Sequence, residues 1–182
     1  MCEASPPVGV HLVGSIPAET AEAAFRLAAE TLGDRLNRIP DGEVGERDTW
    51  IRWQYSRLTS SKQIEQLKKD SVYTPMPPLG LVDSVNSADE IALSNLGYAD
   101  AAIDSWHVFA DLVEAGTLPS DVRFQVGMPT PLSVSLLYVD TESRQMFEQA
   151  YGQALAQELA NMLRSIPADR LAIQWETVAE FA

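Results

Sequence analysis

Val8-Gly9-Val10-His11-Leu12-Val13, followed by Gly14-Ser15-Ile16-Pro17, has the pattern of a short β-branched strand running into a turn. Directly after it, Ala21, Ala24, Phe25, Ala28 and Leu32 recur at three- and four-residue steps. That spacing predicts one buried face of a helix, ending at Gly33. Arg35 to Ile39 reads as a second strand, stopped by Pro40-Asp41-Gly42. Trp50, Ile51, Gln54 and Leu58 mark a second helical face. Trp50, with Trp53 and Tyr55, could cover a barrel rim, though packing is its simplest role.

The alternation pauses over residues 59–88, where Pro75-Met76-Pro77-Pro78 suits neither a helix interior nor a central strand. This segment is expected to be an irregular, proline-rich excursion packed on the outside. Regular structure resumes with a helical stripe of Ala99, Ala102, Ile103, Trp106, Ala110 and Val113, ending near Gly116. Val122-Arg123-Phe124-Gln125-Val126 reads as a third strand, punctuated by Gly127-Met128-Pro129-Thr130-Pro131. Phe147, Ala150, Tyr151, Ala154, Leu155, Leu159, Met162, Leu163 and Ile166 then hold a 3.6-residue period until Pro167. Leu171-Ala172-Ile173-Gln174-Trp175 reads as a fourth, buried strand reaching Glu176.

Strands separated by helices imply βαβ units and a parallel sheet. An open doubly wound sheet and a (β/α)8 barrel both satisfy that pattern. No glycine-rich G-x-G-x-x-G follows the first strand, which counts against a dinucleotide fold. Small or polar residues do end each strand: Ser15, then Asp41 and Glu43, then Thr130, then Glu176 and Thr177. In a barrel these ends share one rim, where active sites form. The expected fold is therefore α/β of the (β/α)8 TIM-barrel type. A complete barrel has eight strands and about 250 residues, so four strands in 182 residues read as the first four βα units only. Residues 1–182 are accordingly taken as a single partial barrel domain.

Composition narrows the function. The chain has 46% hydrophobic and 21% charged residues, a globular balance. Its 26 acidic against 13 basic residues give a net charge of −13, which repels phosphate backbones and anionic lipid. Nucleic-acid and membrane partners are therefore not expected. Cys2 is the sole cysteine, excluding an internal disulfide framework. No apolar run is long enough to span a bilayer, and the first residues lack the features of a secretory signal. A cytoplasmic location is expected.

Several segments resemble known motifs. Val13-Gly14-Ser15-Ile16-Pro17 resembles the I-G-S-F-P turn that opens the catalytic barrel of cobalamin-independent methionine synthase. Asp41-Gly42-Glu43 with Glu46-Arg47-Asp48 resembles that enzyme's H-G-E-x-E-R-x-D segment, with a small length difference and aspartate in place of histidine. Val126-Gly127-Met128-Pro129-Thr130-Pro131 is similar to its G-P-x-T strand end. Ile173-Gln174-Trp175-Glu176 is similar to its I-Q-I-D strand end. The superfamily also contains uroporphyrinogen decarboxylase and stand-alone members. The resemblance implies that Ser15 and Glu43 hold the amino-acid portion of homocysteine and that Glu176 contacts its amino group. Thr177 stands where the family has a further acidic residue used for folate. The family's zinc ligands belong to the second half of the barrel. Zinc and a folate methyl donor are therefore expected only with a C-terminal half, and no cofactor for this chain alone.

Methyl transfer to a thiol needs a thiolate, which zinc makes dominant at neutral pH. Cys2, His11 and His107 are the soft candidates in the chain, and their placement in a terminus, a strand and a helix argues against a shared metal. Glu43 and Glu176 can instead bind an ammonium group or act as acid or base, Ser15 can meet a carboxylate, and Arg47 could pair with one bidentately. Asp41, Arg47, Thr130 and Thr177 complete the candidate set around Ser15, Glu43 and Glu176. The primary expectation is a methionine synthase-like methyltransferase half acting on an amino acid or other small carboxylate. The alternatives are a non-catalytic half-barrel that forms a homodimer through its open sheet edges, and a decarboxylase-like enzyme acting on a small carboxylate.

Overall fold

The structure is a computed structural model that describes residues 9–71, 74–177 and 180. Cys2 and Val8, and the side chain of Trp50, lie outside the described set. The chain forms two compact units. The first is drawn from the described residues of Met1–Asp48, Asp100–Gly127 and Ser165–Gln174, and the second from those of Thr49–Ala99, Met128–Arg164 and Trp175–Ala182.

The first unit is built on a parallel sheet. The sheet's strands are β1 (Val10–His11), β2 (Leu36–Pro40), β5 (Arg123–Pro129) and β6 (Leu171–Glu176), side by side in that order, and the first unit takes in β5 as far as Gly127 and β6 as far as Gln174. β1 pairs with β2 and β2 with β5 in parallel. Phe124 N–H donates to Arg170 O at 2.9 Å and Thr130 N–H to Glu176 O at 3.4 Å, so β6 runs in step with β5. The order follows the chain, with no point at which it reverses. A doubly wound sheet reverses direction at a switch point; these four strands are wound one way only. The expected mixed α/β class and parallel four-stranded sheet are thus present. Of the described residues in the Val8–Val13 run, Val10 and His11 form the strand; Leu12 and Val13 lie beyond it.

One face of this sheet carries the apolar core. Helix α1 (Ala21–Leu32) starts at Thr20, whose hydroxyl accepts from Ala23 N–H at 3.1 Å, and stops at Gly33 with φ 52°. It presents Phe25 to Phe124 of β5 and to Phe109 of helix α3 (Tyr98–Glu114), with ring centroids 6.2 and 5.7 Å apart. Phe109 and Phe124 meet at 5.5 Å, and Trp106 stacks on Phe109 at 5.3 Å. The three phenylalanines are fully buried; burying each side chain contributes about 1.5–3 kcal/mol. The neighbouring residue of β5, Gln125, points to the opposite face. There it meets His11 Nε2 at 2.5 Å and donates to Gln174 Oε1 at 2.9 Å and Leu12 O at 3.0 Å.

The second unit departs from expectation in the 59–88 segment, after Pro129 and at Leu163. The excursion at 59–88 is not wholly irregular, because β3 (Ile64–Gln66) pairs antiparallel with β4 (Leu79–Leu81). β4 is in turn fixed by Asp140 N–H donating to Leu79 O and by Leu81 N–H donating to Ser143 Oγ, at 2.8 and 3.0 Å. A short helix α2 (Gln54–Leu58) precedes this pair. The segment after Pro129 forms helix α4 (Pro131–Tyr138), capped by Thr130, whose hydroxyl accepts from Ser133 N–H at 3.1 Å. A proline in the first helical position starts a helix as readily as it ends one.

The long helix α5 (Arg144–Ser165) buries Phe147, Ala150, Tyr151, Leu155, Met162 and one carboxylate, Glu158. Leu163, on the expected apolar stripe, is instead half exposed. Glu158 earns its buried place by accepting three main-chain N–H groups. Leu96 donates at 2.8 Å, Gly97 at 3.3 Å and Ala99 at 2.5 Å. Among the described residues, no helix is long and apolar enough to cross a membrane.

Candidate functional site

Two turns of the first unit converge. After β1 the chain passes Gly14 (φ 79°) and Ser15; after β2 it passes Asp41, Gly42 (φ 83°) and Glu43. Ile16 N–H donates to Gly42 O at 3.1 Å, which ties the turns through the main chain. Gly42 is required twice over. Its φ lies in the left-handed region, and a Cβ there would sit 2.8 Å from the Cβ of Ala24 on α1. Across this junction the Ser15 hydroxyl donates to Glu43 Oε2 at 2.6 Å, joining residues 28 apart in sequence.

Asp41 organises the second turn. It is 5% exposed, and its carboxylate takes four donors. Glu43 N–H (2.9 Å) and Arg47 Nη1 (3.2 Å) reach Oδ1, while Arg47 Nη2 (2.7 Å) and the Ser105 hydroxyl (2.7 Å) reach Oδ2. That fills the acceptor capacity of a carboxylate. Arg47 is thereby spent on Asp41 in a bidentate pair, and is not held by Asp48 or Glu46 on a helix surface. Asp41 and Arg47 form a frame, and Ser15 and Glu43 are what the frame presents to solvent.

Glu43 has φ 49°, the one non-glycine residue at positive φ among the described residues. For a side chain with a Cβ this costs on the order of 1–3 kcal/mol and persists only where surrounding contacts impose it. Here the bond from its own N–H to Asp41 imposes it. The strain can be measured by comparing Glu43→Gly with Glu43→Ala, which lose the same carboxylate and differ in the Cβ. Chemical denaturation is expected to find the glycine variant more stable by about 1 kcal/mol. Equal stabilities would mean that no strain is stored.

Glu176 and Thr130 belong to the second unit, where Thr130 N–H donates to Glu176 O, and Thr130 also bonds the Glu180 carboxylate. Glu176 is half-buried at the end of β6, and Thr177 is exposed. Ser15 and Glu43 are bonded through their side chains, and Thr130 and Glu176 through the main chain. Ser105 and Glu180 were not legible as partners, because a serine inside a helical stripe and an acid near the chain's end carry no local signal. His11 is engaged by Gln125 and His107 is exposed on α3. Among the described residues no three His, Cys, Asp or Glu side chains gather as a metal group.

No protein-family model matches the chain, and neither a curated protein nor a solved structure is significantly similar to it.

Proposed function

We propose that this chain is the first half of a (β/α)8 barrel of the methionine synthase type, and that its Ser15–Glu43 corner binds the ammonium end of an amino-acid thiol such as homocysteine. The observation that carries this reading is the Ser15 hydroxyl on a Glu43 carboxylate whose backbone is held at φ 49°. Residues held in such backbone conformations cluster at active sites and ligand clamps. The carboxylate offers a negative acceptor for an ammonium group, and the hydroxyl adds a further polar contact. Arg47 is already paired with Asp41, so this corner offers no guanidinium to a carboxylate head group. Methyl transfer itself needs a thiolate, which this reading assigns to zinc held by a second half together with a folate donor. Binding, rather than turnover, is the role proposed for residues 1–182.

The test is calorimetric titration with L-homocysteine and with 4-mercaptobutyrate, the same chain lacking the amine. Homocysteine is expected to bind at least about tenfold more tightly, since a charge-assisted contact contributes roughly 1.5–3 kcal/mol. Equal affinities, or no saturable binding of homocysteine, would overturn the assignment. A self-associating half-barrel is favoured by one observation, the 67% exposure of Val13 beside the edge strand β1. Light scattering that gives a dimer mass would support it, and a monomer would exclude it.

A further inference from the structure

The second unit holds a cleft of about 360 Å³ whose lining includes Arg57, Ser60, Ser61, Lys62, Ser94 and Asn95. Among the described residues no aspartate or glutamate lines it, although acids outnumber bases two to one in the chain, 26 against 13.

Arg57 is fixed without being neutralised. Its guanidinium stacks over the Trp53 ring at 5.0 Å from the centroid, a cation–π placement. Its other side lies against Gly97, where a Cβ would come within 2.6 Å of the guanidinium carbon. Gly97, at φ 83°, is thus needed both for its backbone conformation and for the room it leaves. Among the described residues the guanidinium makes no ion pair and no hydrogen bond. Arg26, Arg47 and Lys69, by contrast, each pair with an acid. Lys62, on the same cleft, is exposed and likewise unpaired. The Ser60 and Ser61 hydroxyls donate to Arg57 O at 2.6 Å and to Gln63 Oε1 at 3.1 Å, so the donors that can hold an oxyanion here are the half-buried guanidinium with its fork unfilled, the Lys62 ammonium and the Ser94 hydroxyl.

We infer that this cleft is a binding site for a small oxyanion, a phosphoryl or carboxylate group carried by a small molecule. It is formed by residues that the Ser15–Glu43 assignment does not use, and it stands or falls separately from that assignment.

The test is titration of the full chain with inorganic phosphate and, separately, with succinate, at physiological ionic strength. Calorimetry and the NMR signal of the Arg57 side-chain Nε–H provide the readouts. Saturable binding of phosphate in the millimolar range, weakened at least about tenfold in Arg57→Gln, would assign a phosphoryl ligand. The same pattern with succinate would assign a carboxylate. Lys62→Gln changes an exposed side chain and leaves the Trp53 stack in place. It is expected to weaken the same binding about threefold, and it keeps the test decisive if the Arg57 variant does not fold. Absence of saturable binding for both anions, or binding unchanged in the folded variants, would overturn the inference.

Discussion

Glu158→Ala is expected to destabilise the protein by about 3–5 kcal/mol, the cost of removing one side of a buried, charge-assisted network. The carboxylate is 5% exposed. It is the acceptor for Leu96, Gly97 and Ala99 N–H, which surround the start of α3, where main-chain donors have no partner within the helix. Alanine would leave all three without it and open a void beneath them. The same segment is held from a second side: Gln54, fully buried, donates from Nε2 to Leu96 O at 2.9 Å and accepts from the Tyr151 hydroxyl at 3.4 Å. Burial raises the Tyr151 phenol above its ordinary pKa, so it stays protonated and able to donate. Loss of Glu158 should therefore be felt by the whole second unit. Thermal denaturation should show a fall in midpoint of roughly 10 °C. Glu158→Gln keeps the shape and one acceptor oxygen and should recover roughly half. A loss below about 1 kcal/mol for the alanine variant would mean that water satisfies these donors.

Asp41→Ala is expected to cost a similar amount, about 3–5 kcal/mol, for a different reason. The Arg47 side chain is 19% exposed and that of Asp41 7%; removing the acid strands a largely desolvated guanidinium. It also releases the Glu43 N–H and the Ser105 hydroxyl. The expected consequence is twofold: a lower midpoint in urea, and loss of homocysteine binding because Glu43 is no longer held in its left-handed turn. Asp41→Asn keeps the acceptor for Glu43 N–H but not the charge facing Arg47. It should lose stability while retaining part of the binding. Unaltered binding in Asp41→Ala would separate Glu43 from the frame assigned to it.

The main strands and helices are legible in the sequence because their apolar residues keep a regular period over many positions. Phe25 on α1, Trp106 on α3 and Phe124 on β5 meet in one core, as their places on apolar stripes suggest. Short pieces escape this reading. β3 and β4 have three residues each, too few for an alternation to register, and Pro77-Pro78 beside them signals a loop. α4 is hidden because Pro129-Thr130-Pro131 reads as an interruption, although Thr130 and Pro131 are a cap and a first-turn residue. Glu158 is the instructive failure. Periodicity counts apolar residues, whereas this buried carboxylate is held by main-chain donors at the start of α3, 59 to 62 residues away, which no local pattern contains.

The candidate site divides in the same manner. Ser15 and Glu43 stand out because each follows a glycine at a strand end, where a turn exposes the side chain. That Asp41 would be the buried frame and Arg47 its partner depends on side-chain geometry over six residues and on Ser105, 64 residues further along. Strand-end position alone does not distinguish a group facing ligand from one holding another in place.

The most direct measurement is the affinity of Glu43→Gln for L-homocysteine, taken together with its unfolding midpoint. Glutamine preserves size and the ability to accept from Ser15, and removes only the charge. Affinity at least about tenfold weaker, with a midpoint within a degree or two of the parent protein, is the predicted result. Undiminished affinity, or a loss of binding that merely follows a loss of folding, would contradict a ligand role for this carboxylate.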